Sequence, residues 1–545
     1  MADSKPRMSD KINDVIVVGS GVSGVHAAQV MVEAGCDVVM LDVGYRDEKY
    51  SKLVPERPFS EIRRFDPQQH RYLLGDCFEG IDLASPGADA HVTPPRKYVL
   101  RIPSQLGRTR SSSFAALESF SLGGLGSTWG AVSFPFTNLE LLACGLTPNE
   151  IRPHYNTVAE RIGVSGSERD DLSAVRGELR PLQPPPEIDG NASAIERTYG
   201  RERKRLLEAG IRIGRSLLAV LTESLGEREP TPYFDTDYLC NVGRSVYRPE
   251  STIDDLLKQP NFTYQRALIA NFTEPSPGGV IVKAESLKDC KPLVLKSRVL
   301  ILAAGALGSA RIVLRSFEKY DQPVPLTCNS HVYVPCIMPR QLAKPANSRR
   351  HSLAQLTMVY DRTGDGRHLV QAQYYPYGSL LLYRLLKESP LPYRESLRIL
   401  HAIESAFGIW LIQHEDHIQA DKCVTLKRES HDRDHLEITF RLANIQISSQ
   451  HRSERAMMRA MRQLGCWPLK RVPALSGSSA HYASTLPFSS EKEALTTDPS
   501  GRLHCTKAVY VADGAPFRYL PAKGPTLTLM ANARRVASNA LAHLD

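Results

Sequence analysis

Gly19-Ser20-Gly21-Val22-Ser23-Gly24 spaces three glycines as G-x-G-x-x-G, after the apolar run Asp14–Gly19 and before a helix-like stretch, Val25–Ala34. In that context the pattern binds the pyrophosphate of a dinucleotide. Gly19 permits the tight turn, Gly21 lets a phosphate approach the backbone, and Gly24 lets the helix pack closely on the strand. Val22 and Ser23 sit where helix N-terminal amides face the negative charge. Asp42 closes the next apolar run, Asp37–Leu41, 18 residues beyond Gly24. A carboxylate there accepts from ribose hydroxyls and repels a 2′-phosphate, which disfavours NADP and leaves NAD and FAD.

The C-terminal region separates those two. Val509-Tyr510-Val511-Ala512-Asp513-Gly514 reads as a buried strand ending in Asp-Gly. Asp513 can accept from the ribityl hydroxyls of FAD, which NAD lacks, with Gly514 leaving room beside it. Pro525 and Thr526 then open a helix over Thr526–Leu541. Its first amides stabilise negative charge at the N1/O2 end of a reduced flavin. FAD is the expected cofactor.

These residues need a parallel sheet to hold them. Asp14–Gly19, Asp37–Leu41, Arg298–Leu302 and Ala508–Ala512 are continuous apolar runs of the kind that form buried parallel strands. They sit at the start, middle and end of the chain. Helices are expected at Ser309–Arg315 after Ala303-Ala304-Gly305, at Ile195–Leu221, and at Arg452–Leu464. Arg180–Gly190 is Pro-rich and reads as a connector. Short runs between residues 320 and 450, such as His331–Cys336 and His435–Leu442, suggest a mostly antiparallel sheet. The expected fold class is α/β: a Rossmann-type FAD-binding domain interleaved with an antiparallel substrate domain. The FAD-binding segments are 10–135, 236–318 and 491–545, and the substrate segments are 136–235 and 319–490.

The fingerprint, the Leu122–Gly130 loop (LGGLGSTWG), Ala303-Ala304-Gly305 and the closing pair VADG…PTLTLMA together resemble the glucose–methanol–choline (GMC) oxidoreductase family. The matching segments touch both ends and the middle of the chain, and the loop is similar to that of the sugar-oxidising branch. The resemblance implies a p-hydroxybenzoate-hydroxylase-like architecture. It also implies that Gly123, Gly124, Ser127 and Thr128 lie along the flavin, that Trp129 lines the site, that Ala304 and Gly305 approach the cofactor, and that the backbone near Leu268 meets the adenine. Some sugar oxidases of that branch bond a histidine covalently to the flavin; Thr128 holds that place here, so non-covalent FAD is expected.

The resemblance further assigns His481, 32 residues before Asp513, as the base that takes the substrate's hydroxyl proton while the C–H hydride goes to the flavin. Two departures stand out. The family pattern H-x-x-G-T-x-R-M-G is replaced by HYASTLPFS. The family's second catalytic residue, His or Asn before the Pro-Thr of the last helix, is Gly524. Losing one such hydrogen bond costs about 1–3 kcal/mol, or roughly 5–150-fold in rate. Lys523 beside it has two readings, a cation that stabilises an alkoxide or the reduced flavin, and an exposed loop lysine; the second is favoured. Tyr482 and Tyr519 are further candidates.

The expected function is oxidation of a CH–OH group of a sugar or other alcohol. The altered catalytic pair also admits a non-oxidative flavin enzyme (isomerase, lyase or reductase) or a non-catalytic flavin-binding scaffold. The electron acceptor, oxygen, a quinone or a protein, is not legible.

Composition narrows the remaining classes. In 545 residues, 68 Lys and Arg against 59 Asp and Glu give +9, with 42% hydrophobic and 23% charged residues. Those are globular values. The densest basic run, Arg201–Arg205, is interrupted by Glu202, so it reads as a solvated helix face and no nucleic-acid partner is expected. Ten cysteines contain no CxxC, and His414-Glu415-Asp416-His417 lacks an evident third ligand, so no metal is expected. Cys36 and Cys466 read as small buried hydrophobes. No transmembrane segment or signal peptide is evident, and a cytoplasmic protein is expected.

Overall fold

The main strands, in chain order, are β1 (Arg7–Val18), β2 (Val38–Asp42), β3 (Ile211–Arg215), β4 (Phe262–Thr273), β5 (Val280–Ser286), β6 (Pro292–Leu302), β7 (Ser330–Ile337), β8 (Leu356–Asp361), β9 (Leu369–Pro376), β10 (Phe407–His414), β11 (Trp467–Pro468) and β12 (Val509–Val511). The main helices are α1 (Val22–Glu33), α2 (Pro148–Ile162), α3 (Gly190–Glu208), α4 (Pro249–Leu256), α5 (Gly305–Ser316), α6 (Asn444–Gln463) and α7 (Thr526–Leu541). These come from a computed structural model that describes residues 7–47, 49–55, 57, 62, 65–77, 94–230, 241–275, 278–342, 344, 353–376, 389–430 and 433–544.

The apolar runs assemble as a parallel sheet in the order β4-β2-β1-β6-β12. Val15, Ile16, Val17, Leu300, Ile301, Val509 and Val511 are wholly buried, as a sheet covered on both faces requires. One face carries α1 and α7, through Val25, Ala28 and Met31 against Ala533, Val536 and Ala537. The chain leaves β1 toward β2 on one side, and β6 joins β1 on the other. The strand order therefore reverses at the C-terminal ends of β1 and β6, where open α/β sheets bind ligands. Beyond their parallel halves, β4 and β6 continue as an antiparallel meander with β5. That extension explains why β1 begins at Arg7, ahead of the apolar run: its early residues pair with Leu293–Lys296.

The second sheet is antiparallel, ordered β11-β7-β10-β9-β8-β3. Its strands alternate with period two. Val332, Val334, Cys336, Trp410, Ile412, Ala372 and Tyr374 face α3 and α6 in one core. Their sequence neighbours His331, Tyr333, Leu411, Gln413, Gln373 and Tyr375 line a cavity. His435–Leu442 is not part of this sheet: the strand there, Arg433–Phe440, pairs with Lys422–Ser430 and onward to Pro323–Pro325.

Three element expectations are corrected. The helix expected over Ile195–Leu221 stops at Glu208 because Gly210, at φ +75°, turns the chain into edge strand β3. The helix after Ala303-Ala304 starts at Gly305, and α6 starts at Asn444. Arg201, Arg203, Lys204 and Arg205 lie on an exposed face of α3. Cys466 is buried as expected, whereas Cys36 is half-buried. Among the described residues no helix is long and apolar enough to cross a membrane.

Candidate active site

A continuous cavity of about 480 Å³ runs from the switch point of the parallel sheet to the polar face of the antiparallel one. Three helices point their N-termini at it. α1 begins after Gly21, α5 after Ala304 and α7 after Pro525, and none has a side-chain cap. α2, α4 and α6 also lack a side-chain cap, so what marks α1, α5 and α7 is that their first residues line the cavity. Uncapped N-termini leave orphan amides and a partial positive charge facing the cavity, an arrangement suited to an anion.

The glycines divide by role. A Cβ on Gly24 would lie 1.8 Å from the Gly19 carbonyl oxygen, and one on Gly19 would lie 2.5 Å from that of Ala303. These two glycines serve strand and helix packing. A Cβ on Gly21 would meet nothing nearer than 3.9 Å, and one on Gly305 nothing within 4 Å. Those positions border open space, as backbone that a phosphate must approach would.

The two carboxylates stand at the ends of their strands. Asp42 Oδ2 accepts from Ser20 Oγ at 2.6 Å and the Tyr264 hydroxyl at 3.0 Å. Asp513 accepts from Ser309 Oγ at 2.5 Å and the Ala515 amide at 2.9 Å. Burial pushes each carboxyl up to about 6 although these hydrogen bonds pull the other way. Further donors, such as ligand hydroxyls, would stabilise both carboxylates. Uncapped helix ends, open glycine positions and under-stabilised carboxylates match the phosphates and polyol chain of FAD.

Most of the expected cofactor residues reach this cavity: Gly19, Gly21, Val22, Ser23, Asp42, Gly124, Thr128, Trp129, Leu268, Ala304, Gly305, Asp513, Gly514, Pro525 and Thr526. Trp129 is oriented by its indole N–H, which donates to the Tyr247 carbonyl at 2.7 Å. Gly24 is in the packing layer beneath. Ser127 is buried, with its hydroxyl donated to the Leu122 carbonyl at 2.8 Å, and lies off the cavity wall.

His481 lines the far end, and Gly524 lies beside it: a Cβ on Gly524 would come within 3.9 Å of His481 Cε1. His481 Nδ1 is 3.1 Å from Asn329 Oδ1. Asn329 Nδ2 donates to the carbonyls of His414 at 2.8 Å and Pro521 at 2.9 Å. Both amide hydrogens are thus committed, and reversing the amide would set its oxygen against two carbonyl oxygens. Oδ1 can only accept, so Nδ1 of His481 carries the proton and Nε2 keeps its lone pair. Burial lowers the imidazole to about 4, so it is neutral near pH 7.

Lys523 belongs elsewhere. Its ammonium is buried 2.7 Å from Glu140, itself buried, and 3.1 Å from the Val175 carbonyl. Neither reading of it from sequence holds, because its side chain turns away from the cavity into an ion pair. Lys523→Met leaves the Glu140 carboxylate unpaired in the interior, and a stability loss of about 3–5 kcal/mol is expected from denaturant unfolding. A loss below about 1 kcal/mol would contradict this assignment.

Tyr519 is engaged by Glu415. Tyr482 reaches the cavity with its hydroxyl committed to the Gly477 carbonyl and the Leu117 amide. In the His414–His417 segment, His414 bonds Glu454 and Asp416 pairs with Lys422. No metal-binding cluster is present among the described residues.

The sequence reading missed the floor of this end. His331 on β7 and Gln413 on β10 are register partners, and Gln373 on β9 lies one cross-strand row along. His331 Nε2, Gln373 Nε2 and Gln413 Oε1 are buried without a hydrogen-bond partner. Polar residues at alternate positions of otherwise apolar strands were the signal that could have revealed them. Burial holds His331 well below the usual imidazole value, helped by repulsion from His481 and His414.

The sheet order, the dinucleotide cradle and a histidine beside it define a flavin-dependent oxidoreductase. No protein-family profile matches the chain. It is 23% identical to the 6'''-hydroxyparomomycin C oxidase of Streptomyces lividus over 99% of this chain and 93% of that protein. It is 24% identical to the paromamine 6'-oxidase of Streptomyces fradiae over 97% and 92%. Among solved structures, two arginine variants of an Aspergillus oryzae formate oxidase, studied for their effect on FAD modification, share the fold. Their TM-scores are 0.59 and 0.61, at 12% identity over 98% of this chain and 99% of theirs. The chain is thus similar over nearly its whole length to two named sugar oxidases and shares its fold with an FAD-containing formate oxidase.

Proposed function

We propose that the protein oxidises a CH–OH group of a hydroxyl-rich sugar, with FAD held non-covalently in the cavity and His481 as the base. The observation that carries this reading is the tautomer lock: Asn329 leaves His481 Nε2 unprotonated beside the cradle. Gly21 and the α1 N-terminus would hold the pyrophosphate, Asp42 the ribose, Asp513 the ribityl chain, and the α7 N-terminus the anionic end of the reduced ring. FAD, when bound, supplies a two-electron acceptor for the substrate hydride. His481 Nε2 accepts the hydroxyl proton as the C–H bond is cleaved, and Nδ1–H stays on Asn329 throughout.

The unpartnered groups of His331, Gln373 and Gln413 suit several hydroxyls on one ligand, since each is costly to bury unpaired. The sheet neighbours that line the cavity with them, Tyr333, Tyr375 and Leu411, are uncharged. This supports a sugar read through its hydroxyls. Thr128, at the position that resemblance gives to a flavin-linking histidine, donates its hydroxyl to the Leu125 carbonyl at 3.4 Å.

The test is anaerobic bleaching of the bound flavin by D-glucose, N-acetyl-D-glucosamine, myo-inositol and paromamine. Bleaching by any one supports CH–OH oxidation. A flavin band that no hydroxylated compound bleaches would favour a non-oxidative flavin enzyme.

The carboxylates predict a pH dependence of cofactor binding. In flavin-free protein both Asp42 and Asp513 take up protons as the pH falls through about 6. Hydroxyl donors favour the carboxylate, so binding releases protons and affinity rises with pH through that value. FAD should bind about 10- to 100-fold more weakly at pH 5 than at pH 7.5. Fluorescence-quenching titrations of apoprotein at the two pH values measure this, and equal dissociation constants would refute it.

A further inference from the structure

Gly524 leaves the site short of one group. The resemblance implies a second side chain there, next to His481, to hold the substrate oxygen as its proton leaves. Glycine offers none, and the neighbouring Lys523 is bound to Glu140.

Another imidazole reaches His481 from a different element. His331, near the start of β7, lines the cavity with its ring edge-on to His481, the centroids 5.4 Å apart at 84°. The two rings are thus neighbours although 150 residues separate them in sequence. The cross-strand partner of His331, Gln413, offers it no hydrogen bond, and its Nε2 is buried with none. The nearby His414 is taken by Glu454 at 3.1 Å. His331 is therefore a neutral imidazole with unused hydrogen-bonding capacity, packed against the base that also borders Gly524.

We propose that His331 is the second catalytic residue of this enzyme, holding the substrate's reacting oxygen in place of a side chain at 524. The role moves from the loop before α7 to the floor of the antiparallel sheet. This rests on the oxidation reading above. In it, the hydroxyl proton passes to His481 Nε2, and an N–H of His331 donates to the same oxygen as negative charge develops there. A neutral imidazole does this without being titrated.

The design leaves a mark at position 524. A Cβ there would meet the Val132 carbonyl oxygen at 3.8 Å and His481 Cε1 at 3.9 Å, both ordinary contacts. Space therefore does not demand glycine, and an asparagine can be restored at that site.

The experiment compares His331→Leu, His331→Asn and the double variant His331→Leu/Gly524→Asn by anaerobic stopped-flow flavin reduction. The substrate is whichever of the four compounds above bleaches the wild type fastest. Flavin content per chain reports folding. The limiting rate should fall about 100-fold in His331→Leu, with the substrate dissociation constant from the same traces within about fivefold of wild type. His331→Asn, which keeps a donor, should stay within about tenfold of wild type. The double variant should recover at least tenfold over His331→Leu. A limiting rate for flavin-loaded His331→Leu within threefold of wild type, or a loss confined to the dissociation constant, would overturn the assignment. Equal losses in all three variants would do the same, marking His331 as a packing residue. If wild type itself is not bleached, the oxidation reading falls and this assignment with it, an outcome distinct from normal bleaching in His331→Leu.

Discussion

His481→Ala is expected to retain its flavin and lose about a thousandfold in the rate at which a sugar bleaches it. The size follows from the range for removing a positioned general base, about 10²–10⁴, or roughly 4 kcal/mol of barrier for a factor of 10³. Retention follows from placement: His481 sits at the substrate end, while the glycines, uncapped helices and carboxylates line the rest of the cavity. The wild-type pH profile should carry the same signature. Burial lowers the imidazole to about 4, and the neutral form is the one that accepts a proton. The limiting rate should be flat on the acid side down to about pH 5 and fall tenfold per unit below about 4. Stopped-flow reduction at limiting sugar checks both points. An alanine variant that reduces within tenfold of wild type, or an acid limb near pH 6.5, would remove His481 from its role.

Asn329→Leu is expected to cost nearly as much, although Asn329 acts only through His481. Three interactions go at once. His481 Nδ1–H loses its acceptor, and the carbonyls of His414 and Pro521 each lose the Asn329 amide donor. Without the acceptor the ring can turn or place its proton on Nε2, where it no longer accepts one. A triad histidine deprived of its tautomer-fixing partner loses about 10⁴, and about 10²–10³ is expected here because the amide is uncharged. The His414 carbonyl's loss of the amide donor adds about 1–3 kcal/mol in lost stability, and the Pro521 carbonyl, which keeps the Lys523 amide at 2.7 Å, adds less. A purely structural role would lower the melting temperature and the flavin content together. A positioning role lowers the limiting rate in the fraction that still carries flavin, with substrate binding within about threefold. Flavin-loaded Asn329→Leu reducing at the wild-type rate would show that the hydrogen bond does not set the tautomer.

The cradle was legible in the sequence because its determinants are local. Gly19, Gly21 and Gly24 lie within six residues, and Asp42 ends the next strand. The turn, the helix start and the strand end each depend on neighbours in the chain. The same holds for Val509–Gly514 and for α7, whose bounds, Thr526–Leu541, were read correctly from Pro525 onward. Local signals were weaker where the far end of an element is set by a partner. β1 is extended to Arg7 by pairing with β6, and β3 takes up residues that carry helical composition because an open sheet edge receives them.

The substrate end was decided by tertiary structure alone. Nothing near Lys523 in sequence announces Glu140, 383 residues away, as the partner that removes it from the site. Asn329 and His481 are 152 residues apart, and His331 reaches the latter only because β7 lies in the sheet that floors the cavity. The pleat of the sheet sets His331, Gln373 and Gln413 on one face of their strands. Which face meets the cavity was settled by α3 and α6 covering the other, where Trp410, Tyr374 and the valines of β7 bury apolar area. Sequence alone thus determined the glycine turns, strand ends and helix starts proposed to hold the cofactor, whose geometry is built from short-range backbone conformation. Only the folded chain decided the chemistry opposite it, since a proton acceptor and its supports must converge from strands and loops that share no sequence neighbourhood.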